Sequence, residues 1–248
     1  MNWTMAAAAL AFGGLFVAAS AAIINTQHEA HITMVQGAAP APIDVQGTSL
    51  EVVFPEWGLT IHSGPPGQIE PPCGDAVSEL AGAVQVLRLT CADVMNPGGV
   101  LGDLTVPSNL PVKIIGGDTV TASGQFASLT LQSGAEVTLN DVSGDVLVET
   151  TGPVTGTIGA AKSVQVDTSG RVELGLKRPV PKVAISSSAD GVLLTMPSPR
   201  PPELTYALDL DATGGRVVNS VPSTPGAAHS VAVTSTGGDI QIRTATTQ

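Results

Sequence analysis

Between about Val112 and Arg243, apolar and polar positions alternate in short runs, and a glycine-based turn breaks the alternation at regular intervals. In SVQVDTSGRVEL, Val164 and Val166 point one way while Gln165 and Asp167 point the other. Beyond Thr168-Ser169-Gly170 the alternation resumes, with Val172 and Leu174 inward and Arg171 and Glu173 outward. A period of two puts successive side chains on opposite faces, so each run predicts a half-buried strand. The phrase recurs in SLTLQSGAEVTL, VAISSSADGVLLTM, ALDLDATGGRVVN and SVAVTSTGGDIQI. The turn glycines Gly117, Gly134, Gly152, Gly170, Gly191, Gly215 and Gly238 lie 17, 18, 18, 21, 24 and 23 residues apart. A near-constant period of about 20 predicts stacked repeats, which makes residues 48–243 an all-β, single-stranded β-solenoid.

Upstream of the repeats, alternation starts at Thr48–Phe54 (TSLEVVF) and resumes in GLTIHSG, with proline-rich loops at Pro65-Pro66 and Pro71-Pro72. Residues 74–92 are ambiguous, since DAVSELAGAV suits a short helix or a wide loop and VQVLRLT a strand. No low-complexity linker separates this part from the repeats, so it reads as irregular first units that cover one end of the core. Residues 25–47 include the stiff, extended stretch Ala38–Pro42 and predict a stalk, and residues 244–248 form a polar tail.

Met5–Ile24 is a run of 20 residues without a charge. A helix rising about 1.5 Å per residue would carry that run across the roughly 30 Å of a bilayer's hydrocarbon, so residues 1–24 read as a transmembrane anchor. A cleaved signal peptide is the competing reading; small residues occur in AASAA, but Met1-Asn2-Trp3-Thr4 lacks a basic residue. The first cation beyond the run is Arg88, so nothing retains the following chain in the cytoplasm. The expectation is a single-pass protein with a cytoplasmic N-terminus and an extracytoplasmic C-terminal domain.

Charge and cysteine content narrow the picture. Ten Lys and Arg against 21 Asp and Glu give a net charge of −11, which disfavours nucleic acid as a partner. The basic cluster Lys177, Arg178 and Lys182 in LKRPVPK is interrupted by two prolines and reads as a solvated loop. Cys73 and Cys91 are the two cysteines and fall in the exported part, where a disulfide is the expected state, worth about 3 kcal/mol; free thiols are the alternative.

No nucleophile elbow, phosphate loop, dinucleotide fingerprint or CxxC is present. Asp118, Asp145 and Asp239 each follow a glycine, the placement expected of residues that cap their own tight turns, with glycine supplying positive φ. Stacked acids could share calcium, but the calcium-binding nonapeptide is missing, and no metal or cofactor is expected. His28, Glu29 and His31 in HEAH do not make the zinc-protease HExxH. Asp141 and Asp145 are the nearest approach to a catalytic carboxylate pair, yet they flank a turn, and aromatics that could hold a sugar are few; no enzyme is expected. Trp57 and Tyr206 are the candidate partner surface, and a specific site is expected first where the repetition fails, at Trp57, the disulfide loop and the Pro-rich insertion between Met196 and Pro202.

The run from Leu104 to Leu176 resembles the bacterial putative-adhesin family of β-strand-repeat proteins, in which a phrase of the form Val-x-Val-x-Thr-x-(Ser/Gly)-Gly-Asp-Val-x-Val recurs. The phrase matches at Val142–Val148, Val164–Leu174, Leu208–Val218 and Val231–Ile242, and departs at Arg171 and Arg216, which replace the acidic residue. The resemblance implies a right-handed β-solenoid tethered to the membrane and facing outward, with no catalytic residues to carry over. Function is therefore expected to be that of a non-catalytic scaffold or adhesin-like module. The partner would be an envelope protein, or a second copy through the terminal strand Gly238–Arg243. The alternative is an accessory or sensor subunit contacting a membrane complex through small residues of its N-terminal helix.

Overall fold

A computed structural model describes residues 40–54, 58–73, 76–90, 100–198 and 205–245. The expected membrane helix, the HEAH sequence, Trp57 and Cys91 lie outside these residues. Among the described residues the chain is all-β with no helix. In chain order the first strands are β1 (Ile43–Asp44), β2 (Ser49–Phe54), β3 (Gly58–Gly64), β4 (Gln68–Ile69), β5 (Ala76–Ala81), β6 (Val84–Leu89), β7 (Val100–Pro107) and β8 (Pro111–Gly116). Two 15-residue strands follow, β9 (Thr119–Ser133) and β10 (Glu136–Thr150). The remainder are β11 (Val154–Ile158), β12 (Ser163–Thr168), β13 (Val172–Leu176), β14 (Lys182–Ser187), β15 (Val192–Met196), β16 (Tyr206–Ala212), β17 (Val217–Asn219), β18 (His229–Ser235) and β19 (Ile240–Thr244).

The strands build two parallel ladders. One runs β6, β2, β8, the second half of β9, the second half of β10, β12, β14, β18, β16. The other runs β7, β3, the first half of β9, the first half of β10, β11, β13, β15, β19, β17. A rung is one strand from each ladder, and because β9 and β10 contribute to both, the pairing network is continuous. Register follows the repeat, with Val137 beside Val154, Val154 beside Val172 and Val172 beside Val192. A parallel in-register stack puts like residues over like, so apolar positions form columns. The expected inward residues Val164, Val166, Val172 and Leu174 are all buried, and the expected outward ones exposed.

At both ends, spatial order departs from chain order. β2–β3, the first full rung in sequence, lies inside β6–β7, and the last rung, β18–β19, lies inside β16–β17. Both terminal segments therefore have ladder partners on two sides. The sequence expectation of an unpaired edge at Gly238–Arg243 is thereby corrected, because β19 is held between β15 and β17. Within the ambiguous DAVSELAGAV, Ala76–Ala81 form β5, antiparallel to β6 across a two-residue turn whose Gly82 has φ 65°. The ordered fold also starts before Thr48, since β1 pairs with β4 inside the span expected to be stalk.

A column of hydroxyls ties the turns together. Ser133, Thr150, Thr168, Ser187 and Ser235 stand in register at the ends of their strands. Thr168 Oγ1 donates to Gly152 O in the adjacent rung (2.5 Å) and accepts from Gly170 N–H in its own turn (2.9 Å). Ser187 Oγ lies 2.8 Å from Gly170 O and accepts from Asp190 N–H at 3.4 Å. At five of these turns, Gly152, Gly170, Gly191, Gly215 and Gly238, glycine is needed for a reason other than the expected positive φ. Only Gly117 of the seven repeat glycines has one, whereas a Cβ on Gly170 would overlap the Gly152 backbone beneath it. The aspartates differ from expectation in the same way, because stacking places the next rung's amides over them. Asp145 Oδ1 accepts from Lys162 N–H (3.0 Å) and Ser163 N–H (3.1 Å), and Asp239 Oδ1 from Arg216 N–H (2.8 Å).

Candidate functional site

Two features stand out from the repetitive stack, an open terminal rung and a corner cleft. The rung β16–β17 has one partner strand on each ladder, β18 and β19, and its core-facing side is incompletely covered. Leu208 and Leu210 are only half-buried, Val217 is 44% exposed, and outward-facing Val218 is 55% exposed. Residues 221–224 cover the start of β16, where Thr224 N–H donates to Tyr206 O (2.8 Å) and Leu208 N–H to Ser223 Oγ (3.2 Å). Beyond that point Thr213 N–H bonds Ser235 O in β18, so by alternation the Leu210 and Ala212 amides face away from the sheet. The outward positions Asp209 and Asp211 are exposed acids.

Tyr206, expected on a partner surface, sits at the base of this rung and is 1% exposed, packed edge-on against His229 with ring centroids 5.8 Å apart. Its hydroxyl is buried without a hydrogen-bond partner, and burial raises its pKa above the usual 10.0. Cys73 is buried in the core at 4% exposure and is not a free thiol.

The corner cleft lies where β9 and β10 bend from one ladder to the other. It encloses about 660 Å³ and gathers Gln125, Asp141, Ser143, Asp145, Lys162, Lys177 and Arg178 over a floor of small residues. Local conformation supplies the geometry. Asp141 is one of two non-glycine residues with positive φ among those described (57°), and its N–H donates to Thr157 Oγ1 at 3.0 Å. Lys177 Nζ lies 2.9 Å from Asp141 Oδ2, and Lys177 N–H bonds Ile158 O. Ser143 Oγ accepts from Ala160 N–H (3.1 Å), which leaves its proton free to donate. Asp141 and Asp145, the candidate carboxylate pair, are thus brought to one cleft, but one oxygen of each is committed, to an ammonium and to two amides. The solvated-loop cations Lys177 and Arg178 line the same cleft, while Lys182 borders an adjoining hollow that shares Asp145. Among the described residues no group of His, Cys, Asp and Glu is arranged to hold a metal.

A third arrangement escaped the sequence reading altogether. Ser123, His62 and Asp103 line up across β9, β3 and β7, with Ser123 Oγ 2.5 Å from His62 Nδ1 and His62 Nε2 3.5 Å from Asp103 Oδ1. Nothing in the local sequence joins them, because their positions are a repeat or more apart and only the strand order makes them neighbours. The His62 and Asp103 side chains are well hydrated, 42% and 72% exposed, so water screens the contact between them.

No protein-family model matches the chain, and no characterised protein matches it in sequence. A solved structure described as a putative cell adhesion protein from Clostridium sporogenes is similar over 83% of this chain and 98% of that chain, at 11% sequence identity and a TM-score of 0.36.

Proposed function

We propose that the protein is a non-catalytic, membrane-anchored scaffold or adhesin-like binding module whose two ladders form a right-handed β-solenoid on the extracytoplasmic side. In this reading Met5–Ile24 is the anchor, and Cys73–Cys91 is a disulfide that pins the end nearer the membrane. The observation that carries the reading is the open rung. A parallel stack that ends in half-buried leucines and outward-facing amides offers an added strand both hydrogen bonds and an apolar seat.

Charge selects among occupants. A second copy pairing antiparallel across a two-fold axis would set Asp209 and Asp211 against their own counterparts, and like charges directly opposite destabilise a pair. An extended segment of an envelope protein with Lys or Arg at alternate positions suits the edge better. The test is recovery of partners from native membranes with the full-length protein and with a Val217→Lys, Val218→Lys variant. Capture of a defined partner by the parent and its loss in the variant supports the reading; equal capture by both refutes the role of the edge. Mass measured at several concentrations decides the self-association version, which a strict monomer would sink.

A further inference from the structure

We infer that the corner cleft is a binding site for an acidic sugar, a monosaccharide unit bearing a carboxylate or a phosphate. The chain carries ten Lys and Arg and a net charge of −11, yet three of those cations, Lys162, Lys177 and Arg178, line this cleft, and Lys182 borders the adjoining hollow that shares Asp145. They come from consecutive rungs, with Lys182 beside Ser163 in the ladder register, so the stack gathers what the sequence spreads. The acids at the corner are Asp141 and Asp145. Lys177 is engaged with Asp141, whereas Lys162, Arg178 and Lys182 make no ion pair among the described residues. Two unpaired cations in the cleft, with a third at the adjoining hollow, form a local positive field on an acidic protein that attracts an anion.

The remaining lining specifies more than charge. A guanidinium fork and an ammonium suit the paired oxygens of a carboxylate or a phosphate. Asp141 and Asp145 each keep one oxygen outside the bonds described above, and these can accept from sugar hydroxyls. The free hydroxyl proton of Ser143 and the amide of Gln125 add donors. Ala127, Ala160 and Ala161 leave a shallow apolar floor for a ring face. A volume of about 660 Å³ falls within the range of small-ligand sites, roughly 300–1,000 Å³.

The experiment is calorimetric or NMR titration of the full-length protein with galacturonate, glucose 6-phosphate, neutral galactose and inorganic phosphate, alongside a Lys162→Ala, Arg178→Ala variant. Both side chains are exposed, and unchanged thermal unfolding of the variant confirms that only the cleft is altered. We expect galacturonate or glucose 6-phosphate to bind at least about tenfold tighter than galactose and phosphate, with weakening by added salt and by about tenfold in the variant. Acidic sugars binding no better than galactose, or the variant binding them unchanged, overturns the site. Inorganic phosphate matching glucose 6-phosphate, with galacturonate silent, overturns the sugar assignment. The outcome is independent of the open rung, which lies on other strands.

Discussion

The two ends of the stack are built on the same plan and finished differently. Each tucks its terminal rung one level in and places an inner segment of the chain beyond it, β6–β7 at one end, where β5 adds an antiparallel strand outside β6, and β16–β17 at the other. At the β6 end the core is closed. Leu87 and Leu89 are fully buried, Ile69 and Cys73 are buried in the same core, Ile43 and Val45 pack against that core, and Glu70 bridges to Thr105 of β7. A buried amide fastens this lid, since Gln85 Nε2 donates to Asp44 O (3.1 Å) and Ser78 Oγ (2.9 Å) while its Oε1 accepts from Gln46 N–H (2.9 Å). At the β16 end the same columns run out into water. A parallel ladder generates its own next docking face, so an end stays dry only where the chain supplies a dedicated cover.

One column spans the whole contrast. Val52, Ile114, Leu131, Val148, Val166, Ile185 and Val233 stand in register between Leu87 at the closed end and Leu210 at the open one. The same truncation at its two ends is the sharpest test of the comparison. Leu87→Ala removes a fully buried side chain and leaves a cavity under the lid, for an expected loss of about 2–5 kcal/mol. Leu210→Ala removes one that is already half in water and should cost less than about 1.5 kcal/mol. Denaturant midpoints of the two variants measure the difference, and equal losses would mean that the open end is covered in solution.

The hydroxyl column makes the same comparison at smaller amplitude. Ser187 is buried, with Gly170 O and Asp190 O both within hydrogen-bond distance, so Ser187→Ala strands polar groups inside a turn and should cost about 1–3 kcal/mol. The column ends at Ala212, which pairs with Ser235 on the open rung. Ala212→Ser places a hydroxyl where the next rung is missing, and its unfolding midpoint should match the parent's. A stabilisation comparable to the loss at Ser187 would show that the column continues outward.

How much of this was legible in the sequence depends on how local the signal is. Alternation named the faces of the repeats, and Val164, Val166, Val172 and Leu174 went inward as read, because side-chain direction depends only on position along a strand. Strand order is another matter. The spacing around Gly215 and Gly238 continues the repeat with no break, yet the chain there climbs past one level and returns to fill it. β5 was unreadable because it has no buried face, its residues being exposed from Val77 to Ala81. The corner cleft was half visible. Lys177, Arg178 and Lys182 are a sequence cluster, but Lys162 belongs to the preceding rung and joins them only through stacking.

The smallest effect, and the most specific to the open end, comes from Tyr206. It is the single tyrosine of the chain, so tyrosinate absorbance reports on the terminal rung alone. Its pKa is raised by burial, so the folded state holds the proton more tightly than the unfolded chain does. Below about pH 10 both states are protonated and Tyr206 adds no pH dependence; above it the unfolded chain ionises first, and stability falls by at most about 1.4 kcal/mol per pH unit until the folded group also titrates. Tyr206→Phe deletes a buried hydroxyl that has no partner, so at neutral pH its stability should equal the parent's or slightly exceed it, and the parent's steeper alkaline decline should be absent. If the tyrosinate transition falls at the ordinary tyrosine value, Tyr206 is reached by water in solution and the terminal rung is looser than its hydrogen bonds to Thr224 and Ser223 imply.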